Sequence, residues 1–304
     1  MAWRSVVVSR PARLRREHFS LAIDQGVTAF VPFEDIAVIV LDHREISLTH
    51  PVLAACGEYG ISLFATGDNH QPNGVFTAFL GHSRATKMLR LQLALGRPTA
   101  KRAWAAIVRR KIENQAHCVE LAYGGNEDRL RSYARRVRSG DVGRMEALAA
   151  GYYFPRLFGR NFDRSQSVWI NAALDYGYAV VRGAIARSLV THGLLPSLGL
   201  AHASEQNAFN LADDLIEPFR PVVDLHVAKA SRALDRGVEE LSPADKVALV
   251  ALLNVDVAMP RGEMSVLAAI EHASESLARV YEDAGDMPLE LPRLMGLRQH
   301  AVEM

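Results

Sequence analysis

The chain has little cysteine and no long apolar segment. Its two cysteines among 304 residues, Cys56 and Cys118, lie far apart without a CxxC partner, which argues against a disulfide framework and a thiolate zinc site. Both are expected to be buried as small apolar side chains. No stretch is apolar for the length that a bilayer span requires, and the N-terminus has no signal-peptide core. We therefore expect a cytoplasmic protein that does not associate with membranes.

Aromatic residues are also sparse, at 7%, whereas hydrophobic residues make up 49% of the chain. This composition suits a soluble, folded protein that is rich in helix. There is no low-complexity tract and no internal repeat. Because 304 residues exceed the size at which a single core stops growing, two domains are expected.

The net charge of +1 conceals a strong asymmetry along the chain. Between Arg84 and Arg144 there are 15 Lys and Arg against 5 Asp and Glu, a balance of +10. Residues 203–304 hold 9 against 18, a balance of −9. Any single basic residue is usually a solvated helix position, but a basic block of this size is typical of proteins that bind a phosphate backbone.

The pattern predicts an α+β two-domain fold, in which a small β-rich N-terminal domain precedes a larger all-α domain. Strands are predicted at Ser5–Ser9, Val27–Val31, Ile36–Leu41 and Ile61–Ala65, with a short helix at His50–Tyr59. We place the first domain at 1–74, ending in the turn-rich segment 68–74, a hinge at 75–84 and the helical domain at 85–304. Apolar residues three and four apart predict helices at Ala85–Leu95, Ala100–Tyr123, Asp128–Val137, Arg144–Phe158, Trp169–His192, Ala203–Glu217, Val222–Ala233 and Pro243–Leu253.

The segment from His202 to Asp224 is dense in carboxylates after a histidine. On a helix, its polar stripe would consist of Gln206, Asn210, Asp213 and Glu217, with Asp214 at the edge. Oxygen ligands suit Mg²⁺, and imidazole with oxygens suits Mn²⁺. The alternative is a solvated acidic face with a capping or core histidine.

Glu146 stands in a helical pattern among Met145, Leu148, Ala149 and Tyr153. If it is buried there, it must be hydrogen-bonded, paired or bound to a metal. A surface glutamate is the alternative.

Several long motifs in a fixed order resemble one family over essentially the whole chain. They are VPFEDIAVIVLD (Val31–Asp42), ISLTHPVLAACGEYGISL (Ile46–Leu63), DNHQPNG (Asp68–Gly74), KIENQA (Lys111–Ala116), EALAAGYYFPRLFG (Glu146–Gly159), NAALDYGYAVVRGAIAR (Asn171–Arg187) and GLLPSLGLAHASEQNAFNLADDLIEPFRPVVD (Gly193–Asp224). The sequence resembles the CRISPR-associated Cas1 integrases, and among them the group that accompanies single-protein RNA-guided effector nucleases, the type II systems.

The resemblance implies a β-rich domain joined to a helical catalytic domain, a homodimer, and one divalent ion, Mg²⁺ or Mn²⁺, in each helical domain. The family's metal ligands and catalytic residues correspond to Glu146, His202 and Glu217, and Asp214 matches a second acidic position close to the metal. Arg220 matches a basic position beside them. Asp175 replaces a common Asn of the family, which removes no ligand.

The activity that the resemblance implies is the joining of a DNA 3′-hydroxyl to a phosphodiester at the edge of a CRISPR repeat, which inserts new spacer DNA. With water as the nucleophile, the same site would act as a DNA endonuclease. His202 must be neutral to bind the ion, so activity is expected to fall at acid pH. Residues expected to contact DNA are Arg220 beside the ion and, along the basic helices, Arg84, Lys87, Arg90, Lys101, Arg102, Arg109 and Arg110, with Arg135, Arg136 and Arg138. Asn114 and Gln115 could serve either helix packing or phosphate contact.

The implied partners are double-stranded DNA (prespacer and CRISPR repeat), a second copy of the chain, a Cas2 companion that bridges two dimers, and the type II effector nuclease. Two other functions remain open. The chain could be a non-catalytic DNA-binding scaffold of the adaptation complex, which uses the same basic helices. A helical metallohydrolase of small substrates would explain the acidic ligands but not the basic block.

Overall fold

The computed structural model of the protein describes residues 4–67, 72–78, 82–166, 168–233, 240–283 and 287–300. The predicted turn-rich segment at 68–74 and the predicted hinge at 75–84 fall partly on residues 68–71 and 79–81, which lie outside the described ranges.

The N-terminal part forms two four-stranded sheets. Its strands are β1 (Arg4–Val8), β2 (Ala12–Glu17), β3 (Ser20–Asp24), β4 (Thr28–Pro32), β5 (Ile36–Leu41), β6 (Ile46–Leu48), β7 (Ser62–Thr66) and β8 (Pro72–Phe76), with helix α1 (His50–Glu58) between β6 and β7. One sheet has the order β1-β5-β7-β8 and is parallel except for β8. The other has the order β4-β3-β2-β6 and is antiparallel except for the pair β2 and β6.

The four predicted strands correspond to β1, β4, β5 and β7, whereas β2, β3, β6 and β8 were not predicted. Strand β2 (ARLRRE) shows why. Ala12 and Leu14 are buried on one face, but three arginines in six residues conceal this alternation. Pairing with β3 and β6, which is a tertiary property, makes this segment a strand.

Strand β5 is buried on both of its faces, as its unbroken apolar sequence IAVIVL requires. Ile36 and Ile39 pack into the N-terminal core with α1. Val38 and Val40, on the opposite face, belong to the large core that the helical part also shares. One hydrophobic core therefore crosses the predicted domain boundary, and the division into domains at 74–84 stays a prediction.

Helices dominate the remainder. They are α2 (Ala85–Ala94), α3 (Arg97–Tyr123), α4 (Asp128–Arg136), α5 (Met145–Phe158), α6 (Trp169–Thr191), α7 (Asn210–Leu215), α8 (Arg220–Ala230), α9 (Pro243–Ala251) and α10 (Val266–Glu282). Helix α3, about 40 Å long at 1.5 Å per residue, contacts α4, α5 and α8. Among the described helices, none combines the length and hydropathy that would let it cross a bilayer.

The prediction of an all-α domain over 85–304 is wrong at its C-terminal end. Strands β9 (Val255–Met259), β10 (Gly262–Ser265) and β11 (Arg293–Gln299) form an antiparallel sheet in the order β10-β9-β11. Buried Asp256 interrupts the apolar pattern of β9, which conceals the strand. Strand β11 supplies Arg298, whose guanidinium lies 2.7 Å from that carboxylate. The mixed α+β class is thus confirmed, with strands at both ends of the chain.

Candidate active site

The candidate site is centred on Lys111 of α3, whose side chain is only 11% exposed. Its Nζ lies 2.7 Å from Oε1 of Glu146 and forms a second ion pair with Oε2 of Glu217. Burial alone would lower the pKa of this lysine, but the charges of Glu217 and Glu146 raise it above its ordinary value. Lys111 is therefore charged at neutral pH and holds two carboxylates around one positive charge.

Glu146 enters the site from the first turn of α5. Asp141 caps this helix, because its carboxylate accepts the backbone N–H groups of Met145 at 2.9 Å and of Glu146 at 3.0 Å. Arg144, directly before the helix, has a left-handed backbone with φ of 50°. The turn and its cap fix where α5 begins, and so direct Glu146 toward Lys111. The side chain of Glu146 keeps 31% exposure.

Glu217 lies in the turn between α7 and α8 and is buried. Asn114 of α3 holds this turn, since its side-chain amide donates to the carbonyl oxygens of Pro218 at 2.7 Å and of Pro292 at 3.0 Å. Asn114 thus serves packing, one of the two roles left open by the sequence. Burial by itself would raise the pKa of Glu217, but the charges of Lys111 and Arg220 hold it below its ordinary value. Glu217 is therefore ionised although it is buried.

His202 lies on the loop that precedes α7, supported by Asp214. The ring Nδ1 is 2.8 Å from Oδ1 of Asp214, which also accepts the backbone N–H of His202 at 3.1 Å. The other oxygen of Asp214 accepts the N–H groups of Leu200 and Ala201. Gly199 allows the backbone of residues 200–202 to surround the Asp214 carboxylate, because a Cβ at position 199 would collide with the carbonyl of His202. A carboxylate that accepts from Nδ1–H leaves Nε2 with a free lone pair, the form of histidine that binds metals.

Electrostatics also link His202 to Glu217. The hydrogen bond to Asp214 raises the pKa of His202, burial opposes this, and the negative charge of Glu217 raises it further. The ring is 45% exposed and its edge faces Trp104, with ring centroids 5.8 Å apart. His202 is therefore an accessible imidazole beside the two-carboxylate cluster.

Arg220, the first residue of α8, contacts the oxygen of Glu217 that Lys111 does not. Its Nε is 2.9 Å from Oε1 of Glu217, and its guanidinium lies 4.5 Å from the ring centroid of Tyr178. The Tyr178 hydroxyl donates to Asp224, which also accepts from the Tyr153 hydroxyl at 2.8 Å. Arg220 is thus held from two sides, with 28% of its side chain exposed.

The predicted ligands come together only in part. Glu146 and Glu217, 71 positions apart in sequence, converge on the Lys111 ammonium. Within the described ranges, however, no three His, Cys, Asp or Glu side chains are grouped closely enough to hold one metal ion. The donor types suit Mg²⁺ or Mn²⁺, and the two carboxylates already surround a cation, so the residues fit an ion that takes the place of the ammonium.

The acidic stripe predicted on a helix from Ala203 to Glu217 is not formed. Only Asn210–Leu215 is helical, and residues 203–209 form an irregular loop with turns at 205–206 and 208–209. The Asn210 side chain donates to the carbonyls of Ser197 at 3.1 Å and of Ser204 at 2.9 Å. Asp213 accepts from Asn207 at 2.7 Å. These local side-chain hydrogen bonds compete with helix formation, which periodicity alone does not register.

Several of the basic residues predicted to contact DNA have partners within the protein. Lys87 pairs with Glu282 at 2.7 Å, Arg109 donates to the carbonyl of Val137 at 3.2 Å, and Arg102 donates to the hydroxyl of Thr99 at 3.1 Å. The others on α2 and α3, exposed at or beside these helices, are Arg84, Arg90 and Lys101.

Arg110 lines a basic groove of about 470 Å³. The groove lies between α3, α4 and β11, and its lining residues are Arg110, Glu113, Asn114, His117, Arg131, Ala134, Arg135, Arg293 and Leu294. Glu113 pairs with Arg110 at 2.8 Å. Burial lowers the pKa of Arg110 and the charge of Arg293 lowers it further, so two guanidinium groups repel each other there. Among the described residues, neither Arg135 nor Arg293 has an acidic partner.

Sequence reasoning missed Lys111 as a site residue. It lies within the KIENQA motif, and its neighbours on the same face of α3 are apolar or buried, such as Ile107 and Val108. A lysine on a buried helix face needs an acidic partner, which is the signal that could have identified it. Asp224 and Gly199 help to position Arg220 and His202, but no sequence signal indicated this, because their roles arise from contacts across the fold.

Comparisons with known proteins agree on one family. Residues 6–236 match the family model described as CRISPR associated protein Cas1. The CRISPR-associated endonuclease Cas1 of Neisseria meningitidis serogroup C (strain 8013) is 41% identical over 307 residues, covering 100% of both chains. A casposase bound to integration product has a TM-score of 0.74 at 18% identity, over 94% of this chain and 92% of that one. A Cas6-RT-Cas1–Cas2 complex has a TM-score of 0.70 at 15% identity, over 94% of this chain and 36% of that one. At these identities the structural likenesses show the fold alone.

Proposed function

Because the chain belongs to the CRISPR-associated Cas1 family, we propose that it is a metal-dependent DNA integrase and endonuclease of CRISPR adaptation. It would insert new spacer DNA into the CRISPR array by 3′-hydroxyl transesterification at the repeat ends. A relative that is 41% identical over its full length bears the name endonuclease, and a casposase of the same fold was solved with an integration product. Both support a phosphodiester as the substrate.

The observation that carries the proposal is the convergence of Glu146 and Glu217 on one positive charge, with Arg220 and His202 beside them. Glu146, Glu217 and Nε2 of His202 would hold Mg²⁺ or Mn²⁺. When bound, the ion would act as a Lewis acid on the scissile phosphate. Asp214 keeps the His202 ring in the metal-binding tautomer. Arg220, which Tyr178 and Glu217 hold in place, would donate to a phosphate oxygen of the DNA.

DNA binding is supported by the basic groove and by the surplus of positive charge on α2 to α4. Arg110, Arg135 and Arg293 bring three guanidinium groups to one concave surface, and clustered positive charge is what attracts a nucleic-acid backbone. The partner proposals follow the family. A chain of the Cas6-RT-Cas1–Cas2 complex shares the fold, and the presence of Cas2 in that complex supports a Cas2 companion here. The homodimer and the contact with a type II effector nuclease rest on the family resemblance alone.

The test is strand transfer of a labelled DNA end with a free 3′-hydroxyl into a repeat-containing plasmid, with Mg²⁺ or Mn²⁺. Glu146→Ala, His202→Ala and Glu217→Ala are each expected to reduce joining at least about 100-fold, since transition-state charge stabilisation is lost. Duplex binding should survive. Glu263→Ala, which removes an exposed glutamate on β10, is the matched control and should join normally.

Unchanged joining by all three variants would show that the site is wrongly assigned. Wild-type protein that binds DNA but transfers no strand in either metal would favour the non-catalytic scaffold instead.

A further inference from the structure

We propose that Lys111 is an internal counter-cation that makes the binding of the divalent ion and of DNA cooperative. It would occupy the carboxylate pair while DNA is absent and move to a DNA phosphate when the substrate arrives. The inference rests on the proposed metal-dependent function and adds to it a stated role for a residue outside the ligand set.

Lys111 and Arg220 together neutralise the two carboxylates of the cluster. Nζ of Lys111 contacts one oxygen of Glu146 and one oxygen of Glu217, and Arg220 contacts the remaining oxygen of Glu217. Two negative and two positive side chains therefore balance within the cluster. The carboxylates are held at the spacing of a shared cation, and that cation belongs to the protein.

The charge balance has a consequence for metal affinity. A pair of carboxylates without a counter-ion attracts a dication strongly, whereas a balanced cluster would gain two excess positive charges when the ion enters. The ammonium and the ion would also compete for the same oxygens of Glu146 and Glu217. In the free protein, Lys111 must therefore weaken binding of Mg²⁺ and Mn²⁺.

DNA would change this balance, because a phosphodiester brings a negative charge to the cluster. Lysine is suited to respond, since its ammonium is a point charge on a flexible four-carbon stem and can leave one oxygen for another. With a phosphate as its new partner, Lys111 would vacate the carboxylates and the ion could bind them. By thermodynamic linkage, the ion must strengthen DNA binding by the same factor as DNA strengthens binding of the ion.

The alternative is that Lys111 only fastens α3 to α5 and to the turn before α8. The two roles predict opposite changes in metal affinity for Lys111→Met. A purely structural lysine contributes stability, and its loss would leave metal affinity unchanged or lower. A counter-cation opposes the metal, so its loss would raise metal affinity even though the folded state is destabilised.

The experiment measures Mn²⁺ affinity by electron paramagnetic resonance of the free ion, for wild type and Lys111→Met. Each is measured alone and with a saturating duplex whose ends lack a 3′-hydroxyl, so that no strand transfer occurs. Without DNA, Lys111→Met should bind Mn²⁺ about tenfold more tightly than wild type, within the usual range of coupling between sites. DNA should strengthen Mn²⁺ binding about tenfold in wild type and clearly less in the variant.

Lys246→Met is the matched control. Among the described residues, Lys246 of α9 is the other buried lysine with a buried carboxylate partner, since it lies 2.7 Å from Asp42. Both variants lose a buried cation, so both should unfold at lower temperature than wild type without metal. Only Lys111→Met should regain thermal stability with Mn²⁺ to a greater extent than wild type does. Lys111→Gln, which keeps a polar end group, repeats the test if the methionine variant folds poorly.

Equal Mn²⁺ affinity in wild type and in the Lys111 variants, or an equal effect of DNA on both, would overturn the inference while strand transfer by wild type leaves the proposed function standing. Absence of Mn²⁺ binding in every protein, with and without DNA, would overturn both.

Discussion

At the scale of single residues, Asp224 connects the interior of the helical part to the candidate site. It accepts hydrogen bonds from the hydroxyls of Tyr153 and Tyr178, and Tyr178 in turn lies under the guanidinium of Arg220. Burial raises the pKa of Asp224 to about 6, although both hydroxyls act in the opposite direction. A carboxyl group that is partly protonated near neutral pH thus supports the arginine that pairs with Glu217.

This raised pKa predicts a pH dependence of stability. Between the ordinary aspartate value and about 6, Asp224 is protonated in the folded chain and ionised in the unfolded chain, so stability falls as pH rises through that window. The stability of wild type relative to Asp224→Asn should therefore fall by about 2 kcal/mol from about pH 4 to about pH 7. Urea unfolding of both proteins across this range measures the difference.

Asp256→Asn provides the control of opposite sign. The pKa of Asp256 is below its ordinary value, because the hydrogen bonds from His300 and Arg298 outweigh the effect of burial. Its stabilising contribution should be constant above about pH 5 and lost only on further acidification. A flat or rising difference between wild type and Asp224→Asn from about pH 4 to about pH 7 would contradict the account of Asp224.

At the scale of elements, helix α3 serves two surfaces at once. Lys111 points to the carboxylate cluster, whereas Arg110 and Glu113 line the basic groove shared with α4 and β11. Asn114 connects the two, since it bonds both Pro218, next to Glu217, and the backbone N–H of Leu294 in β11. One helix therefore fixes the proposed DNA path relative to the proposed metal site.

The groove predicts a local effect on DNA binding. Replacing Arg135 and Arg293 together by Ala should weaken duplex binding and reduce the slope of log affinity against log salt by about 2, because each lost phosphate contact removes about 0.9 from that slope. Fluorescence anisotropy over a salt series measures both quantities.

Arg136→Ala is the matched control for this prediction. Arg136 is exposed on the same helix, α4, but does not line the groove. If this control changed the slope as much per arginine as the groove variants do, DNA binding would follow total charge and the groove would have no special part.

The apolar periodicity of the sequence predicts the bounds of most helices well. The predicted bounds of the helices from α2 to α6 agree with the structure to within three residues, because each buries a regular apolar face. The helix predicted from 203 to 217 is mostly absent. Asn207 and Asn210 hydrogen-bond to nearby side-chain and backbone groups, and these local bonds compete with the helix. The same loop conformation is what brings His202 next to Asp214.

At the scale of the whole molecule, the N-terminal sheet and the helices meet in close contact. Phe64 of β7 is buried in the large core, against Gly183 of α6. A Cβ at position 183 would overlap the Phe64 ring, so only glycine permits this approach. The absence of one side chain sets how closely the sheet lies against the helix.

Gly183→Ala should therefore destabilise the protein by about 1–3 kcal/mol, the usual cost of overpacking a core. Gly151→Ala is the matched control, because Gly151 lies in α5 and a Cβ there meets no atom within 4 Å. That control should be neutral or gain up to about 1 kcal/mol from improved helix propensity. Thermal unfolding of both variants checks the pair, and equal stabilities would contradict the close packing of α6 on β7.

The sequence by itself determined the mixed class, the helices from α2 to α6, the family and the residue types available for chemistry, because these depend on local periodicity and on motifs that are contiguous in the chain. It did not determine the C-terminal sheet, the ends of the acidic helix or the place of Lys111. Those depend on which distant segments meet. Glu146 and Glu217 are neighbours only because α5 and the turn before α8 both pack on α3. A buried ammonium between them is stable only in that assembled environment, where two carboxylates compensate the loss of its hydration.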